Sequence, residues 1–170
     1  QHYGVSPDII AIAKGISSAY LPIAATVVKN NVFGSFYGDP AENRQIAQVN
    51  TYGGHPVAAA VALRNIEIME AERLADRAAE IGAYLLDGLQ GLTSHKAVGD
   101  IRGKGLLIGV ELVKDRATKE QLDAAQFAGV VDFCRDHGVL VGRAGGGRQY
   151  GTTIALCPPL VITRAECDRI

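Results

Sequence analysis

The stretch Ser6-Pro7-Asp8-Ile9-Ile10-Ala11-Ile12-Ala13-Lys14-Gly15-Ile16 decides how the rest of the chain is read. From Asp8 to Ala13 it is a short apolar run, partly β-branched, that closes at Lys14 and Gly15. A run of this length bounded by a turn signal fits a buried strand of a mostly parallel sheet. A polar, glycine-containing stretch follows, and Pro22 to Val28 then reads as a second strand. A lone lysine is most often a solvated surface residue. At the C-terminal end of a buried strand, however, it stands where open α/β sheets place ligands. A lysine amine held neutral there can form a Schiff base with an aldehyde.

Outward from this segment, residues 29–50 show no clear period and contain the turn Gly38-Asp39-Pro40, so they read as a loop with short helical pieces. His55-Pro56 opens the longest helical pattern, with proline at the first helical position, where its missing N–H costs nothing. Ala58 to Leu74 carries alanine, leucine and isoleucine at steps of three and four, and Arg64, Glu67, Glu70, Glu72 and Arg73 form its solvated face. The pattern continues to about Leu89, with Gly88 and Gly91 as stop signals. A second unit starts near Ala97. Val98 to Val113 reads as two short strands about the turn at residues 102–105. A helix is expected from about Lys119 to His137, with Gly138 as its left-handed terminator. Val139-Leu140-Val141 reads as a strand, Gly145-Gly146-Gly147 as a turn, and Thr152 to Leu156 as a strand stopped by Pro158-Pro159. Thr163 caps a last helix from Arg164. Strands and helices without strict alternation predict a small α+β lobe.

The 170 residues are 48% hydrophobic and 21% charged with a formal net charge of -1, values of a globular chain. There is no basic footprint for nucleic acid and no apolar run long enough to span a bilayer. Cys134, Cys157 and Cys167 lack CxxC spacing and are expected to be reduced core thiols. His2, His55, His95 and His137 are scattered, which argues against a metal site. Gly103-Lys104-Gly105 with Gly109 has the wrong spacing for a dinucleotide fingerprint and reads as a turn between strands. The glycines at 145–147 lack the lysine and Ser/Thr of a phosphate loop. The chain opens without an initiator methionine or a signal-peptide layout and stops inside a helical pattern, so it is expected to be part of a longer protein.

Four segments carry a family resemblance. SPDIIAIAKGI (6–16) with LPIAA (21–25) resembles the lysine segment of class III pyridoxal-phosphate-dependent aminotransferases. NTYGGHPVAAA (50–60) is similar to the family's threonine segment and following helix. VGDIRGKGL (98–106) with GVEL (109–112) resembles the start of its small C-terminal domain, and CPPLVIT (157–163) its last strand-to-helix junction. The segments occur in the family's order across nearly the whole chain.

The resemblance implies an α/β architecture, fold type I of the pyridoxal-phosphate-dependent transferases. Residues 1–90 would close the large cofactor-binding domain with an interdomain helix, and 97–170 would form a small α+β domain. It implies that Lys14 carries pyridoxal 5'-phosphate and afterwards moves a proton to and from the substrate. It also implies that Thr51 donates its hydroxyl to the cofactor phosphate, usually that of a neighbouring subunit, and hence a homodimer. From the residues alone, Thr51 can instead be a turn residue capping the helix at His55, and both roles could hold; Tyr52 and His55 read as structural.

Many relatives that bind an α-carboxylate have arginine three residues before the Pro-Pro pair, where this chain has Ala155. The run 139–145 instead resembles the region where ω-amino-acid and amine:pyruvate transaminases carry a mobile arginine, which makes Arg143 the candidate for a substrate carboxylate, with Arg148 its rival. The implied reaction is ping-pong transfer from an amine or ω-amino acid to a keto acid such as pyruvate, in the cytoplasm. A related decarboxylase, an aminomutase, or a cofactor-free interaction module are the alternatives. The family's phosphate cradle, ring-stacking aromatic and ring-nitrogen aspartate all precede the lysine, so the 170 residues alone are expected to be nearly inactive.

Overall fold

The apolar run after Pro7 forms a strand, β1 (Ile9–Ala13), which pairs antiparallel with β2 (Ala24–Val28), Ile9 opposite Val28 and Ala13 opposite Ala24. The computed structural model describes residues 3–144 and 151–170, and the chain divides into two compact units, Gln1–Glu72 and Arg73–Ile170. A buried strand of a mostly parallel sheet is not what the first unit contains. Its sheet is a two-stranded antiparallel ribbon, and Ile9, Ile10 and Val27 are exposed, Ile9 at 57%. An apolar strand is buried only where other layers cover its faces, and this unit supplies no such layer over these side chains.

After the ribbon come a short helix α1 (Asn30–Gly34) and a single 3₁₀ turn at Pro40–Glu42, where Asp39 Oδ1 accepts the Ala41 N–H at 2.9 Å. Helix α2 (Pro56–Ala71) starts as its sequence predicts. Pro56 occupies the first helical position, and His55 Nδ1 faces the Ala58 N–H at 3.5 Å as the N-terminal cap. Ala58 and Ala62 are its buried residues.

The helical pattern does not run unbroken to Leu89. Arg73 adopts φ 49°, and a separate helix α3 (Leu74–Gln90) follows. The Glu72 N–H closes α2 on the Ile68 carbonyl (3.0 Å) and the Arg77 N–H opens α3 on the Arg73 carbonyl (3.0 Å), so the left-handed residue stands between two separate runs of helical hydrogen bonds.

The second unit continues with β3 (Val98–Lys104), β4 (Leu107–Asp115), β5 (Glu120–Gln121), α4 (Ala124–Asp136), β6 (Gly142–Arg143), β7 (Thr153–Leu156) and α5 (Arg164–Cys167). Its antiparallel sheet has the order β3-β4-β7-β6, with β5 beside β4. Ile108, Val110 and Leu112 of β4 alternate inward with Ile154 and Leu156 of β7, as a sheet with one covered face requires. They share a core with Ile81, Leu85 and Leu89 of α3 and Phe127 of α4. Each such side chain contributes ~1.5–3 kcal/mol by leaving water. The turn expected at 102–105 is shorter: Arg102, Gly103 and Lys104 belong to β3 and pair with Gly109, Ile108 and Leu107, which leaves Gly105 (φ 55°) and Leu106 as the turn between the strands.

Two boundaries differ from expectation. The helix placed from Lys119 begins at Ala124, because Glu120 and Gln121 pair with Asp115 and Val113 instead. The strand placed at 139–141 is formed by Gly142 and Arg143, which pair with Ala155 and Ile154. Gly138 is left-handed at φ 84°, and Thr163 forms a reciprocal capping box with Glu166. The expected turn at 145–147 falls outside the described residues.

The three cysteines are free: Cys167 is buried, Cys134 half-buried and Cys157 exposed. Burial, then Asp168, pushes the Cys167 thiol up. Cys157 is therefore not a core thiol in this chain. The alternation of β7 turns Ile154 and Leu156 inward and leaves Cys157 on the opposite side.

Candidate active site

Lys14 sits at a sharp change of backbone. Ala13 is extended at φ -156°, and Lys14 turns to φ 54° as the first residue of a 3₁₀ turn, Lys14–Ser17. Ser18 (φ 48°) and Ala19 (φ 61°) are left-handed as well. Outside glycine this conformation costs ~1 kcal/mol or more per residue, so three cases in six residues must be held by their surroundings. Part of that hold is local. The Ser18 N–H donates to the Gly15 carbonyl (3.2 Å) and the Ala19 N–H to the Lys14 carbonyl (3.3 Å). Ser17, 1% exposed, donates its hydroxyl to the Leu21 carbonyl at 2.7 Å.

The turn opens on a cavity of ≈ 660 Å³ within the first unit, walled by Lys14, Ala13, Ala24, Asn50, Tyr52 and Gly54 among others. That volume falls in the range of small-molecule and cofactor sites. The walls are mostly small and apolar, which leaves room for a flat ring, and Lys14 brings a primary amine to them. A pyridoxal aldehyde suits this donor set. No acidic side chain lines the cavity among the described residues, so the partner of a ring nitrogen is not found there.

Thr51 lies between two of the lining residues, Asn50 and Tyr52, in an exposed turn. The turn is closed by the Gly53 N–H to the Asn50 carbonyl (2.9 Å) and the His55 N–H to the Tyr52 carbonyl (3.3 Å). The cap of α2 is His55, so Thr51 does not serve the helix start. Asn50 and Tyr52 line the same cavity as Lys14, which the sequence reading did not anticipate. Their adjacency to Thr51 within one motif was the available signal.

Arg143 is in the second unit, on β6 opposite Ile154, with its guanidinium carbon 4.4 Å from the ring centroid of buried Phe127. Stacking uses the face of the guanidinium, whereas its N–H groups lie in the plane, where a carboxylate is met edge-on. Arg148 falls outside the described residues. Among the described residues, no group of three or more His, Cys, Asp or Glu could hold a metal, and no helix is long and apolar enough to cross a membrane.

With this geometry in view, the chain matches the family model of the class III aminotransferases over residues 1–170. It is 51% identical to YhxA, an uncharacterized aminotransferase of Bacillus subtilis, over 100% of this chain and 38% of that protein. It is 43% identical to a taurine–pyruvate aminotransferase of Bilophila wadsworthia, again over 100% of this chain and 38% of the relative. A Bacillus anthracis aminotransferase crystal structure superposes with a TM-score of 0.91 at 47% identity, covering 98% of this chain and 37% of that one. The chain thus spans about 38% of the length of the curated relatives it matches.

Proposed function

The chain belongs to the class III aminotransferases, a family of fold type I pyridoxal-phosphate enzymes, and from that premise we propose that its protein moves an amino group from an amine or ω-amino acid to a keto acid such as pyruvate. The observation that carries this reading is Lys14, held left-handed at the end of β1 on the wall of a cofactor-sized cavity. The 43% identity to a taurine–pyruvate aminotransferase supports an ω-amino donor and pyruvate as acceptor.

Pyridoxal 5'-phosphate, when bound, would supply an electron sink for the charge that develops on the substrate carbon. Lys14 Nζ would attach it and, once displaced by the incoming amine, take the proton from the carbon that bears the substrate nitrogen. The Thr51 hydroxyl would donate to the phosphate of a neighbouring subunit, which makes a homodimer the working unit. Arg143 would clamp the carboxylate of an ω-amino acid or keto acid through paired N–H groups. The same proposal assigns residues 1–90 to the large domain and 97–170 to the small one, and places the protein in the cytoplasm.

The test uses the full-length protein incubated with pyridoxal phosphate, reduced with borohydride, digested and mapped. Label on Lys14 together with alanine formation from pyruvate and an amine is the expected result. Label on another lysine, or none, would overturn the assignment. The isolated 170 residues are expected to form no measurable alanine.

A further inference from the structure

Asn65 occupies the middle of α2, although asparagine favours caps and turns over helix interiors. Its amide is spent on the turn that follows Lys14. Nδ2 donates to the Gly15 carbonyl (3.0 Å) and the Ile16 carbonyl (3.1 Å), and also lies 3.6 Å from Met69 Sδ. Oδ1 accepts the Ser18 hydroxyl at 2.7 Å. The opposite amide orientation would set Oδ1 against two carbonyl oxygens, so the surrounding acceptors decide which way the group points.

The location of Asn65 follows from the helix period. Ala58, Ala62, Asn65 and Met69 recur along one face of α2, and the two alanines are buried. Their small side chains let α2 pack against the 3₁₀ turn, which it touches directly. On the other side of these bonds lies the part of the unit least able to hold itself. Lys14, Ser18 and Ala19 are all left-handed, and each has only one or two backbone bonds within the turn. Asn65 binds the two carbonyls, of Gly15 and Ile16, that lie between these strained residues.

We propose that Asn65 is the positioning residue for Lys14: by holding the Gly15 and Ile16 carbonyls and the Ser18 hydroxyl, it keeps the Lys14 backbone left-handed and its amine on the cavity wall. The geometry stands by itself, and its catalytic consequence rests on the reading of Lys14 as the cofactor lysine. Without the amide, the turn relaxes toward commoner backbone conformations, and the amine is no longer presented in one place. Asn65 touches neither cofactor nor substrate in this scheme. It acts through Lys14.

The test compares full-length wild type with Asn65→Ala, the isosteric Asn65→Asp, which places an oxygen where both carbonyls need a donor, and Ser18→Ala, which removes one bond only. In cofactor-free protein, amide exchange at Ser18, Ala19 and Tyr20 should speed up about tenfold in both Asn65 variants and less in Ser18→Ala, while the amides of α2 keep their protection. With pyridoxal phosphate, half-saturation of borohydride-trapped label on Lys14 should rise about tenfold, and kcat per loaded site should fall about tenfold with the donor KM within about twofold. Unchanged exchange at residues 18–20, or faster exchange throughout α2, would overturn the proposal, since the second pattern is that of a helix-stabilising residue. Normal loading and kcat in both Asn65 variants would overturn it equally. Wild-type protein that takes no label on Lys14 would instead sink the cofactor reading, and the exchange experiment separates the two failures.

Discussion

Gly82→Ala and Gly88→Ala make the same chemical change in the same helix, α3, and should move stability in opposite directions. Alanine is favoured over glycine in a helix interior by ~0.8–1 kcal/mol, and that term acts at both positions. At Gly88 nothing lies within 4 Å of the added Cβ, so the propensity term stands alone. At Gly82 the Cβ would meet the carbonyl carbon and oxygen of Gly105 at 2.2 Å each, and its Cα at 2.6 Å. Ordinary carbon contacts lie at ~3.5–4 Å, so the β3–β4 turn must retreat by roughly 1 Å or more. The obstacle is backbone, which cannot rotate aside as a side-chain tip can. Overpacking of this kind costs typically ~1–3 kcal/mol, and a main-chain clash belongs at the upper end. The net expectation is ~2 kcal/mol lost in Gly82→Ala and ~0.5–1 kcal/mol gained in Gly88→Ala, a gap of about 3 kcal/mol. Urea unfolding with a probe in the second unit reads this gap as midpoints displaced to either side of wild type. The displaced hairpin belongs to the sheet that also carries Arg143. If Gly82→Ala proved as stable as wild type, the reasoning from close backbone approach would be refuted.

Three further expectations concern individual side chains. Arg143→Ala should raise the KM of a carboxylate-bearing donor at least about tenfold with little change in kcat, and leave an uncharged amine donor unaffected; equal effects on both donors would remove Arg143 from substrate binding. Thr51→Ala should weaken pyridoxal phosphate binding by roughly ten- to a hundredfold, the cost of one hydrogen bond to a charged group, and an unchanged affinity measured by cofactor titration would return Thr51 to a turn residue. The Thr163 backbone N–H, then its hydroxyl, hold the Glu166 carboxyl below its ordinary value. A carboxylate depressed in the folded state contributes stability that is present above its unfolded pKa and lost as pH falls through the folded one. Melting curves should therefore separate wild type from Glu166→Ala at neutral pH and converge below about pH 4; a constant separation across that range would contradict the cap.

The readable parts of the fold were those whose physics is local. His55-Pro56 announced the start of α2 and Thr163 that of α5, because a cap and the N–H it serves lie within three residues of each other; the partner Glu166 emerged only in the structure. Gly138 was legible as a helix stop for the same reason. The break at Arg73 was harder to see. Apolar residues recur at helical steps on both sides of it, and nothing in that pattern marks Arg73 as left-handed. The Val139-Leu140-Val141 run has strand composition, yet the ladder forms at Gly142–Arg143, because pairing is decided by the partner strand and not by propensity.

For the site, sequence alone determined that a lysine ends an apolar run, that glycine follows it, and that a threonine segment precedes a helix. Those are covalent neighbours, so their order suffices. Tertiary structure decided that β1 pairs antiparallel with β2, that Asn50 and Tyr52 share a cavity wall with Lys14, and that Asn65 holds the turn from about fifty residues away. A hydrogen bond between residues so distant in sequence depends on how α2 is turned and how closely its alanines let it approach. That is a property of packing, which no local pattern in the chain encodes.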